Sequence, residues 1–179
     1  MTEMPKTGGK RRIDQVLGPG YADELGSLET DEVRRRRDLT RLEREYLSFV
    51  RRLLQGRRDI LRDELRRRRS GGEPIPIVER LVAVLSEGSR GPSRGEAPVI
   101  PLPEEEVMMA RRRVERLVSD SRLSNLEALS DEEIEDVVGR IEEEERTVSD
   151  ARAKVIDVHD ALQDEMKRRL RAELGRLSP

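Results

Sequence analysis

The fold is decided by residues 39–65, which read LTRLEREYLSFVRRLLQGRRDILRDEL. Apolar side chains recur there at alternating steps of three and four, interrupted only around Gly56, and a second apolar stripe runs beside the first. Such a period puts apolar residues along one side of an α-helix. We therefore predict a long helix over 31–70, buried along two stripes: Leu39, Leu42, Tyr46, Phe49, Leu53 and Ile60, and Leu47, Val50, Leu54, Leu61 and Leu65.

The rest of the chain divides where its composition changes. A second helical period follows Ser130, and residues 88–103 contain four prolines and three glycines. We predict an all-α fold in which two long helices form an antiparallel coiled coil with shorter accessory helices. The predicted segments are a disordered N-terminus (1–12), a short amphipathic docking segment (13–30), the first long helix (31–70), a short helix and Pro/Gly linker (71–103), an accessory helix and turn (104–129) and the second long helix (130–175).

Composition excludes several classes of protein. The 179 residues are 41% charged and 2% aromatic, with no cysteine and one histidine. Disulfides and zinc–sulfur sites are therefore excluded, and one histidine is too few for a histidine-based metal centre. No apolar run reaches the length of a membrane span, and the start lacks the apolar segment of a signal peptide. We expect a soluble cytoplasmic protein that is not an enzyme and has neither a metal site nor a membrane contact.

The two long helices carry an internal repeat. A shift of 101 residues places LRDELRRR at 61–68 on LQDEMKRR at 162–169. We infer a duplication from these matches and from the upstream ones. Without a gap, the shift also places Leu28, Glu32, Ser48, Arg51 and Asp59 on Leu129, Glu133, Ser149, Arg152 and Asp160.

Three repeated polar residues share one face of each helix. At 100° per residue, Ser48, Arg51 and Asp59 form an arc beside the apolar stripe, and Ser149, Arg152 and Asp160 form the same arc on the second helix. A solvated helix face is the ordinary explanation for any one of these residues. The same spacing on two helices favours a functional explanation for the set.

Charge indicates how the helices meet. Residues 31–70 contain fifteen basic and eight acidic side chains, whereas residues 130–160 contain four basic and twelve acidic ones. Opposite charges favour pairing of the two helices, although single exposed ion pairs contribute little. An antiparallel pair with a pseudo-twofold axis is expected to bring the two polar arcs together.

The chemistry of the arcs suits a guanine nucleotide. Arginine binds phosphate or the O6/N7 edge of guanine through two parallel hydrogen bonds, and a carboxylate accepts from the guanine N1–H and N2–H₂ groups. Serine adds a short donor for a phosphate or ribose oxygen. Duplicated about a twofold axis, the set suits a cyclic guanine dinucleotide, which is one possibility among several on composition alone.

Two segments resemble a known family. YLSFVRRLLQGRRDILRDEL at 46–65 and RIDQVLGPGY at 12–21 are similar to the RsiG-type anti-sigma factors of actinobacteria. The family's nucleotide motif is E-x3-S-x2-R-x3-Q-x3-D, once per long helix. The first copy here keeps Ser48, Arg51, Gln55 and Asp59, with Arg44 in place of Glu. The second copy keeps Glu145, Ser149, Arg152 and Asp160, with Ile156 in place of Gln.

The resemblance implies a function and a ligand. Members of the family bind cyclic di-GMP, as an intercalated dimer against the coiled coil, and in that state sequester a WhiG-type sigma factor. By resemblance, Arg51 and Arg152 contact guanine edges and phosphate, and Asp59 and Asp160 accept from the guanine N1/N2 edge. The remaining polar contacts are implied for Ser48, Ser149, Gln55 and Glu145.

Two alternatives stay open. Arg34–Arg37, Arg66–Arg69 and Arg111–Arg113 are basic clusters that suit a nucleic-acid binder, although the net charge of −2 and the lack of stacking aromatics oppose it. We expect no direct DNA binding. A constitutive coiled-coil adaptor is the second alternative, and it gives the polar arcs no role. His159 is expected to be a solvated side chain rather than a general base.

Overall fold

The computed structural model describes residues 11–71 and 102–177, and all regular structure in these two stretches is helical. The prediction of an all-α fold built on two long helices is confirmed. Two 3-10 turns, Leu25–Ser27 and Leu126–Ala128, precede the two long helices. The helices of the described residues are α1 (Arg12–Val16), α2 (Thr30–Arg69), α3 (Glu104–Glu115), α4 (Asp120–Ser124) and α5 (Asp131–Leu177).

Several predicted segments fall wholly or partly outside the described residues. These are residues 1–10 of the expected disordered N-terminus and, from segment 71–103, the short helix and nearly all of the linker. The expected disorder is wrong at Arg12, because that residue begins α1.

Both long helices begin with acidic residues, which the positive end of a helix dipole favours. In α2, Asp31 and Glu32 occupy the first turn and Arg66–Arg69 the last. Gly71 follows with φ of +67°, a left-handed conformation that glycine adopts without steric cost. The start of α5 is a capping box: the Ser130 N–H donates to Glu133 Oε2 at 2.8 Å, and the Glu133 N–H donates to Ser130 Oγ at 3.2 Å.

The described chain packs as two compact units, and each long helix contributes to both. Unit 1 contains residues 11–44 and 152–177, and unit 2 contains residues 45–71 and 102–151. The predicted segments, in contrast, treated each long helix as one undivided segment. Because α2 and α5 are antiparallel, the first half of α2 packs on the second half of α5 in unit 1, and the other two halves pack together in unit 2.

Side chains at seven-residue steps form the seam of the helix pair in each unit. All ten are at most 1% exposed. A strict seven-residue step keeps the same face of a helix toward its partner, as in a left-handed coiled coil. Each buried Val, Leu or Ile contributes about 1.5–3 kcal/mol. The seam residues are Val33, Thr40, Val155 and Leu162 in unit 1, and Leu47, Leu54, Leu61, Ile134, Ile141 and Val148 in unit 2.

The predicted centre of the buried face of α2 was wrong. Its second stripe is buried, whereas five members of its first stripe are only half-buried: Leu39, Leu42, Tyr46, Phe49 and Leu53. The seven-residue step passes through Thr40, whose polarity excluded it from an apolar stripe. The Thr40 hydroxyl donates to the Arg36 carbonyl at 2.8 Å, so its buried polar group is satisfied.

Arg68 makes a set of hydrogen bonds in unit 2 that we call an arginine clamp. Arg68 donates from Nε to Glu64 Oε1 at 2.7 Å and from Nη1 to the Leu129 carbonyl and Asp131 Oδ1, both at 2.8 Å. Its Nη2 donates to the Leu126 carbonyl at 2.7 Å. Glu64 itself is fully buried. The clamp therefore ties the end of α2 to the 3-10 turn that precedes α5.

Unit 1 contains the same clamp, displaced by 101 residues. Arg169 donates from Nε to Glu165 Oε1 at 2.7 Å and from Nη1 to Thr30 Oγ1 at 2.9 Å. Its Nη2 donates to the carbonyls of Leu25 and Leu28, each at 2.7 Å. Every contact of the first clamp thus has a counterpart here, and the duplication inferred from sequence is visible as a repeated set of contacts.

A second pair of contacts extends the repeat beyond the long helices. In unit 1, Arg12 Nε on α1 donates to Glu43 Oε2 at 2.5 Å. In unit 2, Arg113 Nε on α3 donates to Glu144 Oε1 at 2.8 Å. The two ion pairs, which we call braces, are again 101 residues apart. They hold a short helix against a long one in each unit.

The predicted docking segment 13–30 lies against α2 in unit 1. The Tyr21 hydroxyl donates to the Arg36 carbonyl at 3.0 Å, and Arg36 Nη1 donates to the Tyr21 carbonyl at 2.7 Å. The Arg36 guanidinium carbon lies 5.3 Å from the centre of the Tyr21 ring, within range of a cation–π contact. Burial raises the pKa of Tyr21 above its usual value.

Candidate functional site

The predicted site residues are shared between the two units. Ser48, Arg51, Gln55 and Asp59 from α2 and Glu145 and Ser149 from α5 belong to unit 2, whereas Arg152 and Asp160 belong to unit 1. The second copy of the motif is therefore divided. We describe the polar residues of each unit separately.

Unit 2 brings residues of both motif copies together. Gln55 Nε2 donates to Glu145 Oε1 at 2.6 Å, and Arg51 Nε lies 3.6 Å from the same oxygen. The Arg51 Nε atom is buried and has no hydrogen-bond partner within the described structure. The first residue of the second copy thus meets the middle residues of the first copy, because the antiparallel helices bring those positions side by side.

Arg58 completes this cluster, and the sequence analysis missed it. Arg58 Nη1 donates to Glu145 Oε2, while its Nε and Nη2 donate to Asp59 Oδ1 at 3.1 and 3.0 Å. The Arg58 side chain is 20% exposed. We call Arg51, Gln55, Arg58, Asp59 and Glu145 the first corner.

A signal for Arg58 existed in the sequence. A basic residue precedes the motif Asp in both copies, as Arg58-Asp59 and as His159-Asp160. The comparison by identity passed over this position, because Arg and His differ.

The electrostatics of the first corner are balanced. Two guanidinium groups, Arg51 and Arg58, face the two carboxylates Glu145 and Asp59. The Glu145 side chain is 13% exposed, whereas 48% of Asp59 and 42% of Arg51 remain exposed. Glu145 is therefore the most buried of these three side chains. Asp59 and Arg51 are the accessible carboxylate and guanidinium of the first corner.

Unit 1 holds the remaining predicted residues on α5. His159 Nδ1 lies 3.4 Å from Asp160 Oδ1, and Asp160 is 67% exposed. Arg152 and Ile156 are half-buried. The expectation of a solvated histidine was wrong, since the His159 side chain is only 13% exposed. The cause is its position four residues after Val155 and three before Leu162, which are both seam residues.

The predicted basic clusters of α2 are largely engaged within the protein. Arg34 pairs with Asp31, Arg35 and Arg36 pair with Glu32, and Arg37 pairs with Asp38. The cluster at the end of α2 contacts Asp63, Glu64, Asp131 and Glu135. These carboxylates compete with any phosphate backbone for the same arginines.

The fold and this cluster describe a paired-helix protein with a polar site beside its seam, and a sequence comparison finds a family that part of the chain resembles. Residues 19–85 match the family described as RsiG-like. The predicted resemblance to RsiG-type anti-sigma factors is confirmed over these residues, and the match supports an anti-sigma role. Four predicted site residues of α2 lie inside the match, and those of α5 lie outside it.

Among curated proteins, none matches this chain. Within residues 11–71 and 102–177, no helix is both long and apolar enough to cross a membrane.

Proposed function

We propose that this chain is an anti-sigma factor that binds cyclic di-GMP on its duplicated motif and, in the bound state, sequesters a WhiG-type sigma factor. The observation that carries the proposal is the convergence of Arg51, Gln55 and Glu145 in the first corner. Arg51 and Gln55 come from α2, and Glu145 comes from α5, 90 positions after Gln55 in sequence.

The duplication supports a ligand-binding role for the arcs. Several repeated residues have a structural role, since Leu61 and Leu162 lie in the seam, and Glu64 and Arg68 with their counterparts form the clamps. Ser48, Arg51 and Asp59 are repeated as Ser149, Arg152 and Asp160, yet they belong to neither the seam, the clamps nor the braces. A shared ligand accounts for their repetition.

Each polar group has a proposed role toward the nucleotide. Arg51 and Arg152 contact guanine edges and phosphate, and Asp59 and Asp160 accept from guanine N1 and N2. Ser48, Ser149, Gln55 and Glu145 complete the polar contacts. The resemblance implies the intercalated dimer of cyclic di-GMP, so we expect two nucleotides bound per chain.

Sequestration follows from coupling between ligand and partner. Without ligand, arginine side chains that lie close together repel one another, and bound phosphates relieve that repulsion. The nucleotide thereby favours the helix arrangement to which the sigma factor binds. Sigma and cyclic di-GMP must then raise each other's affinity by the same factor. Such an activity takes place in the cytoplasm, where sigma factors act.

Calorimetric titration with cyclic di-GMP tests the nucleotide part of the proposal. Arg51→Ala and Asp59→Ala each remove a charge-assisted contact that contributes about 1.5–3 kcal/mol, so we expect a loss of binding with unchanged helicity. Arg34→Ala, on the same helix but outside the motif, is the matched control. Affinity close to wild type in both motif variants would contradict the site.

Capture of a WhiG-type sigma factor tests the partner. We expect capture to rise when cyclic di-GMP is added and to lose this response in Arg152→Ala. Equal capture in all conditions favours the constitutive adaptor. Salt-dependent binding of any DNA duplex instead favours the nucleic-acid binder.

A further inference from the structure

Arg58 belongs to the first corner but not to the motif, and its contacts link two motif residues. Its Nη1 donates to Glu145 Oε2 on α5, and its Nε and Nη2 donate to Asp59 Oδ1 at 3.1 and 3.0 Å. The Arg58 side chain is largely buried. Arg58 therefore joins one motif carboxylate of each copy across the helix pair in unit 2.

These contacts restrict the orientation of the Arg58 guanidinium. Consecutive residues of an α-helix point about 100° apart, so their side chains do not ordinarily face each other. Arg58 nevertheless donates to its neighbour Asp59, and the hydrogen bond to Glu145 holds the guanidinium from the other helix. Each of its three nitrogens donates to a carboxylate, which leaves the planar group little freedom to rotate.

Asp59 is held in turn by Arg58. Both described hydrogen bonds of Asp59 use Oδ1, whereas about half of the side chain stays exposed. A carboxylate with one oxygen fixed by two donors presents its second oxygen, Oδ2, in a defined direction. The accessible carboxylate of the first corner is therefore preorganised, and less side-chain freedom has to be lost when a ligand binds to it.

The repeated architecture forms with a different residue at the position equivalent to Arg58. This residue of α5 in unit 1 is His159, whose Nδ1 lies 3.4 Å from Asp160 Oδ1. That contact is longer than either contact of Arg58 to Asp59, and Asp160 is the more exposed of the two carboxylates. Arginine at position 58 therefore adds a restraint on Asp59 that the helix pair itself does not need.

We propose that Arg58 is a positioning residue that orients Asp59 toward the N1/N2 edge of guanine and thereby sets selectivity for that base. The inference rests on the proposed function, in which Asp59 accepts from guanine N1 and N2. An ionised carboxylate only accepts hydrogen bonds, and the N2 amino group is a donor that guanine has and hypoxanthine lacks. A fixed acceptor discriminates between these two bases, because it is left without its partner when the amino group is missing.

Titration of the full chain with cyclic di-GMP and with its inosine analogue, cyclic di-IMP, tests this role. The two ligands have the same phosphodiester ring and differ by the N2 amino group of each base. We expect the wild-type chain to prefer cyclic di-GMP by at least about tenfold, as one hydrogen bond to a charged acceptor implies. In Arg58→Ala this preference should fall by about fivefold, mainly through weaker binding of cyclic di-GMP, because Asp59 is no longer held.

Two further variants separate positioning from a structural role. Arg62→Ala removes another ion pair between α2 and α5, to Glu142 Oε1 at 2.6 Å, and should change neither affinity nor preference. Arg58→Lys keeps the charge but lacks the planar fork that donates to both carboxylates at once, so we expect a preference between those of the wild type and Arg58→Ala. Circular dichroism checks that each variant keeps the helicity of the wild-type chain.

The outcomes separate this inference from the proposed function. Failure of the wild-type chain to bind cyclic di-GMP overturns both. Binding without a preference for cyclic di-GMP, an unchanged preference in Arg58→Ala, or an equal loss of both ligands in that variant overturns the inference alone. An equal loss would mean that Arg58 supports the first corner as a whole and does not act through Asp59.

Discussion

The two arginine clamps are nearly identical, whereas the first corner and its counterpart at a displacement of 101 residues differ at three of five positions. This counterpart, which we call the second corner, consists of Arg44, Arg152, Ile156, His159 and Asp160. Arg68 and Arg169 each bind a glutamate on their own helix, two backbone carbonyls at the 3-10 turn that precedes the other long helix, and the first residue of that other helix. The corners differ by Glu145 against Arg44, Gln55 against Ile156 and Arg58 against His159. Both units have therefore kept the clamp contacts that hold the fold together. Only the first corner has kept the motif residues of the polar site.

The difference reflects two kinds of constraint. A clamp binds backbone carbonyls whose positions are the same in both units, so removal of the arginine takes one donor away from each of these partly buried acceptors. A corner holds side chains only, and a change on one helix can be balanced by a change on the other. The corners can therefore specialise while the helix pair stays in register.

The largest expected effect comes from breaking a clamp. Arg68→Ala leaves the buried Glu64 with one arginine fewer and removes the donor to two carbonyls, so we expect the free energy of unfolding to fall by about 3 kcal/mol. Arg169→Ala should cost about 2 kcal/mol, because Glu165 is slightly more exposed than Glu64. Urea denaturation followed by circular dichroism measures both.

Arg66→Ala is the matched control for the clamps. Its side chain is 75% exposed and pairs only with Asp63 among the contacts described, so its removal should change stability by less than about 0.5 kcal/mol. A clamp variant as stable as this control would show that its clamp does not stabilise the fold.

The sequence revealed more of the architecture than of the contacts. Helical periodicity and the 101-residue repeat were enough to predict two long helices. The clamp residues Glu64 and Arg68 were visible as repeated residues, but their role was not, because backbone carbonyls carry no sequence signal. Thr40 was overlooked in the seam because its burial depends on a heptad position and not on its polarity.

The site was predictable one helix at a time. Motif spacing selects Arg51 and Gln55 on α2 and Glu145 on α5, but only the packed helices show that Glu145 contacts the other copy. Arg58 was missed because its role depends on two acceptors, one of which is 87 residues away.

A smaller effect is expected when the second corner is made more like the first. Ile156→Gln restores the motif residue, and calorimetry should show cyclic di-GMP affinity that is unchanged or raised by up to about tenfold. Leu170→Gln is a suitable control, since Leu170 is exposed on the same helix and outside both corners. A loss of more than about 1 kcal/mol in Ile156→Gln would identify Ile156 as a packing residue and the second corner as repurposed.

The smallest expected effect is the acid sensitivity of the clamp in unit 1. Hydrogen bonds from Arg168 and then Arg169 lower the pKa of Glu165 from 4.5 to about 2. Because the pKa is lower in the folded state, this group stabilises the fold above about pH 4.5, and the contribution is lost as the pH falls toward 2. The free energy of unfolding should therefore decrease less steeply between these pH values in Glu165→Gln than in the wild-type chain. Urea denaturation across this range measures the slope, and Glu173→Gln, an exposed carboxylate on the same helix, should leave it unchanged. Equal slopes in wild type and Glu165→Gln would mean that the ionised Glu165 does not hold Arg169, and that the clamp in unit 1 depends on its contacts to Thr30, Leu25 and Leu28 alone.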